Sequence, residues 1–147
     1  MTICREIMKR DIHCLSSTDS VTVAAARMRD QNVGFLPICD AGRQVLGTIT
    51  DRDIAVRLVA EQLDGSTPVE RIMTREVVAC DPEDDISDAA ELMAEHRKSR
   101  IMCLGRDGRL LGIISLSDIA QFDGAHAAIT LNEIGRRETR TEVRDPH

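Results

Sequence analysis

Gly47-Thr48-Ile49-Thr50-Asp51-Arg52-Asp53 and Gly112-Ile113-Ile114-Ser115-Leu116-Ser117-Asp118 stand sixty-five positions apart and read alike. In each, a glycine opens a short apolar strand and a hydroxyl residue closes it. Three residues later comes an aspartate, on the first turn of a helix that continues Ile54-Ala55 or Ile119-Ala120. The rest of the chain repeats in the same register. Ile7-Met8 returns as Ile72-Met73, and Val21, Ala24, Ala25 and Met28 return as Ile86, Ala89, Ala90 and Met93. Those four fall at i, i+3, i+4 and i+7, the spacing of one helix face.

Working outward from the repeat, residues 2–10 read as a short helix and 12–15 as a short strand. A polar turn from Ser16 to Ser20 caps an amphipathic helix that ends near Gln31-Asn32. Phe35 to Cys39 and Val45 to Ile49 are strands joined by Asp40-Ala41-Gly42-Arg43, a link short enough to make them antiparallel. A helix follows from Asp51 to Leu63, and Leu63 to Pro68 is a linker of turn formers. The second copy predicts a helix over 69–74, a strand over 77–80 and a helix from the acidic start Asp81 to Asp85. A hairpin of Arg100 to Leu104 with Leu110 to Ile114 and a closing helix from Ser115 to Phe122 complete it. Two β-α-β-β-α units result, an α+β class. Each leaves an apolar sheet face, so the two sheets are expected to pack together about a pseudo-twofold axis. The domain reading is 1–65 for the first repeat, 66–123 for the second and 124–147 for a tail. In the tail, His126 to Gly135 suits a helix, and the polar run from Arg136 suits frayed chain.

Composition narrows the function. A chain of 147 residues is long enough for a real core. Phe35 and Phe122 are its only aromatics, so Val, Ile, Leu, Met and Ala must fill that core. Platforms for stacking single-stranded bases are missing. A formal charge of −6 makes the chain a poor general binder of nucleic acid. No apolar run is long enough for a membrane span, and residues 1–15 lack the features of a secretory signal. Five cysteines in that context predict a cytoplasmic chain with mostly reduced thiols.

The duplicated Ile-Met opening, the Leu36-Pro37-Ile38 strand and Gly-Thr-Ile-Thr-Asp-Arg-Asp running into Ile-Ala resemble a tandem pair of cystathionine-β-synthase (CBS) domains, a Bateman module. The resemblance covers about residues 3–122 and is to stand-alone bacterial CBS proteins. Leu36-Pro37-Ile38-Cys39, Thr50 to Ile54 and Cys14 look most similar to the hypoxic-response type. It implies an adenosyl ligand (AMP, ADP, ATP or S-adenosylmethionine) in the cleft between the repeats, and homodimers of modules. It implies no required cofactor. Asp53 and Asp118 match the family's ribose aspartates, and a carboxylate can accept from both hydroxyls of a ribose. Thr50 and Ser115 sit where a hydroxyl and free backbone N–H groups suit phosphate. Arg52 adds charge in the first site. In the second, Ser117 replaces it, and Arg97, Lys98 or Arg100 must serve. Leu15, Phe35 and Pro37 are candidates for an adenine slot in repeat one, and Cys80, Ile101 and Met102 in repeat two. The same Thr50-x-x-Asp53 and Ser115-x-x-Asp118 are also near matches to a capping box, which would simply start a helix.

Cys14 and Cys39 end strands that a β-α-β unit makes parallel neighbours. They read either as a disulfide within range or as two packed thiols. Their counterparts are Ala79 and Leu104, so any cysteine function belongs to one half. His13 beside Cys14 lacks zinc-ligand spacing, and no metal site is expected. No nucleophile elbow, P-loop or His-Glu-x-x-His is present, so an enzyme is not expected. The expected function is a regulatory sensor: nucleotide shifts a population of states that an unknown protein partner reads. Its rivals are a nucleotide-free stress-response scaffold and a redox-responsive thiol protein using Cys14 and Cys39.

Overall fold

A computed structural model describes residues 1–122, 128 and 131–135. Most of the 124–147 tail therefore lies outside the described residues, although 131–135 are helical. In chain order the elements are helix α1 (Cys4–Ile7), helix α2 (Val21–Gln31), strands β1 (Phe35–Cys39) and β2 (Val45–Thr50), and helix α3 (Asp51–Asp53). A π-helical stretch, Ile54–Val59, continues α3, and a single 3-10 turn covers Val69–Arg71. Strand β3 (Ala79–Cys80), helix α4 (Ile86–His96), strands β4 (Arg100–Leu104) and β5 (Leu110–Ser115) and helix α5 (Leu116–Ala120) follow.

These elements form two compact units that do not follow the sequence repeats. One contains His13–Val77 with Asp107–Leu110. The other contains Met1–Ile12, Val78–Arg106 and the described residues from Leu111. The opening segment of each repeat therefore joins the body of the other. The contact is equivalent in both: Thr74 exchanges backbone hydrogen bonds of 2.9 and 2.8 Å with Thr48, and Lys9 exchanges bonds of 2.9 and 3.0 Å with Ile113. Pairing of Lys9 and Thr74 as isolated bridges also explains why both opening helices are shorter than the sequence predicts. The backbone is extended at Met8, and the copy at 69–74 has only its 3-10 turn.

Within the first unit, β1 and β2 pair antiparallel, with Phe35 opposite Thr50 and Pro37 opposite Thr48, and a bulge at Ile38/Cys39. The strand predicted over 12–15 reduces to one parallel bridge between Leu15 and Ile38. Pro37 supplies the reason, because it has no N–H for a longer ladder. In the second unit Met102 stands at that position and donates to the Val78 carbonyl at 3.4 Å. There β3 forms, parallel to β4, with Cys80 opposite Cys103. One sheet thus has two strands and the other has three, β3-β4-β5.

Each unit has its own core. Leu15, Val21, Met28, Ile38, Ile49, Leu58, Val69, Ile72 and Met73 pack in the first, and Cys4, Cys80, Ala90, Met93, Ile101, Cys103, Ile114 and Ile119 in the second. The equivalence is incomplete, since Ala90 is buried whereas Ala25 is exposed. Both long helices are capped alike. The Ser20 hydroxyl accepts from the Val23 N–H at 3.1 Å and the Asp85 carboxylate from the Ser87 N–H at 2.8 Å. They end at Asn32 and Arg97, both with φ of 54°.

Candidate functional site

The two motif copies build the same object. Thr50 and Ser115 leave their strands with extended backbone and become N-caps of α3 and α5. The Thr50 hydroxyl accepts from the Asp53 N–H at 3.1 Å while the Thr50 N–H donates to Asp53 Oδ2 at 3.0 Å. Ser115 and Asp118 repeat this at 3.1 and 3.0 Å. Both are capping boxes, which satisfy two otherwise orphaned donors reciprocally. The next residue is tied down the same way in each copy. The Asp51 N–H donates to the Gly34 carbonyl at 3.0 Å and the Leu116 N–H to the Ser99 carbonyl at 2.8 Å.

The capping bond uses Oδ2 of each aspartate, and the partners of Oδ1 differ. Asp53 Oδ1 receives the Thr74 hydroxyl at 3.2 Å, which also reaches Oδ2 at 3.3 Å, and Arg57 Nε lies 3.8 Å away. Arg57 also donates to the carbonyls of Ile72 and Met73 at 3.3 and 3.2 Å, from within the widened π-helical stretch. Asp118 Oδ1 has Lys9 Nζ at 3.8 Å, on a side chain that is 75% exposed. Asp53 is thus held on both oxygens, whereas Asp118 has a looser second contact. A carboxylate has roughly four lone-pair sites, so Asp118 keeps more capacity for an incoming hydroxyl.

The other sequence candidates fall into two groups. Arg52 and Ser117 are exposed beside the caps. Ser117 shares a 2.8 Å hydrogen bond with the Ser115 hydroxyl. Among the slot candidates Phe35 is half-buried, whereas Leu15 and Pro37 are core residues joined by a 2.9 Å bond from the Leu15 N–H to the Pro37 carbonyl. Cys80, Ile101 and Met102 are likewise in the core. Thr74, Arg57 and Lys9 were not among the expected site residues. Thr74 and Lys9 occupy equivalent positions in the repeat, so the sixty-five-residue register holds a signal for both. Their roles follow from the exchanged opening segments, which no local pattern encodes.

Cys14 and Cys39 are brought together, with their sulfurs 3.0 Å apart as free thiols. The Cys39 S–H donates to Cys14 and lowers the Cys14 thiol to about 7, with Arg43 helping against burial. The same contact, with burial, raises Cys39 strongly. Among the described residues, no group of three or more His, Cys, Asp or Glu is arranged to hold a metal ion. None of their helices is long and apolar enough to cross a membrane.

A model of the CBS domain family matches residues 4–60 and again 69–124. The CBS domain-containing protein YhcV of Bacillus subtilis is 33% identical over 139 residues, 93% of this chain and 98% of that protein. Hypoxic response protein 1 of Mycobacterium tuberculosis is 32% identical over 130 residues, 88% of this chain and 90% of that protein. A crystal structure of hypoxic response protein I with two coordinated zinc ions superposes with a TM-score of 0.76 at 31% identity, covering 84% of this chain and all of that one. The CBS domain pair of protein MJ0100, in complex with 5-methylthioadenosine and S-adenosyl-L-methionine, gives 0.75 at 27% identity, over 84% of this chain and 97% of that one. Among the described residues no donor set is arranged to hold a zinc ion. Cys80 and Cys103, for example, have sulfurs 3.3 Å apart. Tetrahedral zinc with bonds of about 2.3 Å needs roughly 3.8 Å between sulfurs.

Proposed function

The chain belongs to the CBS domain family, and from that premise we propose that it is a regulatory module binding an adenine nucleotide or S-adenosylmethionine. Asp53 and Asp118 each grip the ribose of a ligand in their own repeat, and Thr50, Ser115 and Arg52 face the phosphates. The single observation that carries this reading is the duplicated capping box, which turns one oxygen of each aspartate to its helix end and leaves Oδ1 directed elsewhere. The MJ0100 pair, which was solved with two adenosyl ligands, supports the ligand class. The looser Lys9 contact to Asp118 favours the second site as the stronger one. Binding shifts the population of module conformations, and a protein partner reads the change. The module acts as a homodimer in the cytoplasm. It performs no chemistry on the ligand.

Calorimetric titration with AMP, ADP, ATP and S-adenosylmethionine tests this reading. At least one ligand is expected to bind. Asp118→Asn should weaken that binding more than Asp53→Asn, roughly ten-fold for loss of a charged acceptor. No heat and no thermal shift at millimolar ligand would remove the proposal.

A second reading, a redox-responsive thiol pair, has its own support in the 3.0 Å approach of Cys14 and Cys39. Counting free thiols before and after reductant tests it. An unchanged count in air-equilibrated protein goes against it.

A further inference from the structure

The second unit contains a sulfur cluster that the ligand-binding reading leaves unused. Cys80 Sγ lies 3.3 Å from Cys103 Sγ and 3.7 Å from Cys4 Sγ. All three residues are buried: Cys4 and Cys103 fully, Cys80 with 8% exposed. Three positions far apart in sequence converge here, on α1, β3 and β4. We propose that Cys4, Cys80 and Cys103 form an oxidative modification site, in which hydrogen peroxide oxidises Cys4 and Cys80 resolves it as a Cys4–Cys80 disulfide that fixes the N-terminal segment to β3.

Cys4 is the attacking sulfur for two reasons. Its sulfur accepts the Cys80 S–H at 3.7 Å while its own S–H faces the Asp85 carbonyl at 3.9 Å, and the contacts with Cys103 and Cys80 lower its thiol against burial and the charges of Asp84 and Asp85. The same contacts together with burial raise Cys80, which keeps its proton. Cys4 also lies on a helix of only four residues, a short element whose local opening admits a small oxidant. The steps balance. Thiolate sulfur attacks the peroxide O–O bond, giving a sulfenic acid and hydroxide. Cys80 sulfur then attacks the sulfenic sulfur and expels the second oxygen as water. In sum two thiols lose two electrons and two protons, and one peroxide becomes two waters.

Geometry selects Cys80 as the resolving partner and Cys4–Cys80 as the product. Cys80 is hydrogen-bonded to both other sulfurs. Its nearer neighbour, Cys103, is its register partner in a parallel ladder. Strand spacing of about 4.8 Å keeps such a pair wider than the roughly 3.8 Å between Cβ atoms that a disulfide favours. Cys4 belongs to no ladder and can close the distance. The product would join residues 76 positions apart, a separation at which crosslinking constrains the unfolded chain strongly.

The test uses the full reduced chain, treated folded with hydrogen peroxide, alkylated with iodoacetamide and digested with trypsin. Cleavage after Arg5, Arg75, Arg97, Arg100 and Arg106 puts the three cysteines on separate peptides, distinct from those of Cys14 and Cys39. The expected result is one crosslinked pair joining Cys4 to Cys80, with Cys103 alkylated, and a melting midpoint raised by several degrees that dithiothreitol reverses. In Cys80→Ala, dimedone should label Cys4. A Cys80–Cys103 crosslink overturns the proposal. So do three alkylated thiols in a folded chain whose urea-unfolded form does crosslink. Mapping of the unsubstituted chain decides the matter even where Cys80→Ala fails to fold.

Discussion

At the scale of single residues, one side chain can have its environment read by titration. Cys14 is half-buried and accepts the Cys39 S–H, which lowers its thiol from 9.0 to about 7. Cys39 is raised by the same contact and by burial, and keeps its proton throughout that range. Between about pH 7 and 9 the folded chain holds Cys14 as thiolate while the unfolded chain keeps the proton. An acid with a lowered folded pKa stabilises the fold when ionised. The Cys14 contribution is therefore complete above pH 9 and is lost as pH falls through about 7. Alkylation of Cys14 by iodoacetamide under a phosphine reductant should rise with a midpoint near 7. Cys39→Ala removes the donor, and the midpoint should move toward 9. A midpoint near 9 in the unsubstituted chain would mean that the sulfur contact does not persist in solution. The capping boxes make a related point about legibility. Thr50-x-x-Asp53 admits both a cap and a ribose grip, and the structure realises the cap through Oδ2 while Oδ1 takes the Thr74 hydroxyl. Residue type and spacing show that a carboxylate stands there. The occupants of its second oxygen, Thr74 or Lys9, depend on tertiary placement.

At the scale of elements, the glycines that open β2's apolar end and its copy in β5 differ in what they protect. A methyl group at Gly47 would lie 2.6 Å from the Thr74 carbonyl oxygen, a backbone atom held in a two-bond bridge. At Gly112 it would meet the Met8 side chain, with the sulfur at 2.6 Å. A methionine can change rotamer, whereas a bridged carbonyl must break its pairing. Gly47→Ala is therefore expected to cost about 2–3 kcal/mol and Gly112→Ala about 1 kcal/mol, within the usual range for overpacking. Urea denaturation of the two variants checks the order, and equal losses would remove the distinction. The elements themselves were largely readable. Hydrophobic spacing and caps located α2 and the β1–β2 pair to within a residue, whereas the helix expected to start over Asp81–Asp85 begins only at Ile86, after its Asp85 cap. The failures have separate causes. Pro37 shortens a ladder that alternation alone would extend over 12–15. Bridges at Lys9 and Thr74 trim helices that periodicity would continue. The π-helical stretch at Ile54–Val59 keeps an apolar pattern compatible with an ordinary α-helix, so periodicity could not distinguish it.

At the scale of the whole molecule, the repeat in the sequence and the unit in space are different objects, and fragments can separate them. Residues 1–65 and residues 13–77 are pieces of equal length from one chain. The first is a complete sequence repeat but lacks Val69, Ile72 and Met73, which pack in the core around Leu15 and Ile38. It also loses Thr74, and with it the bridge to Thr48 and the hydroxyl on Asp53. In their place it carries α1, whose Cys4 packs in the other unit's core. The second fragment contains every residue of its own core cluster and omits only Asp107–Leu110 from its unit. A piece this small buries only about 60% of its unfolded surface and sits near the limit of independent folding. Loss of three buried apolar side chains, at about 2 kcal/mol each, is enough to abolish folding at that margin. The 13–77 fragment should therefore show a cooperative thermal transition by circular dichroism, and the 1–65 fragment a featureless slope. If 1–65 melts cooperatively at or above the midpoint of 13–77, each repeat carries a sufficient core of its own and the exchange of opening segments is dispensable.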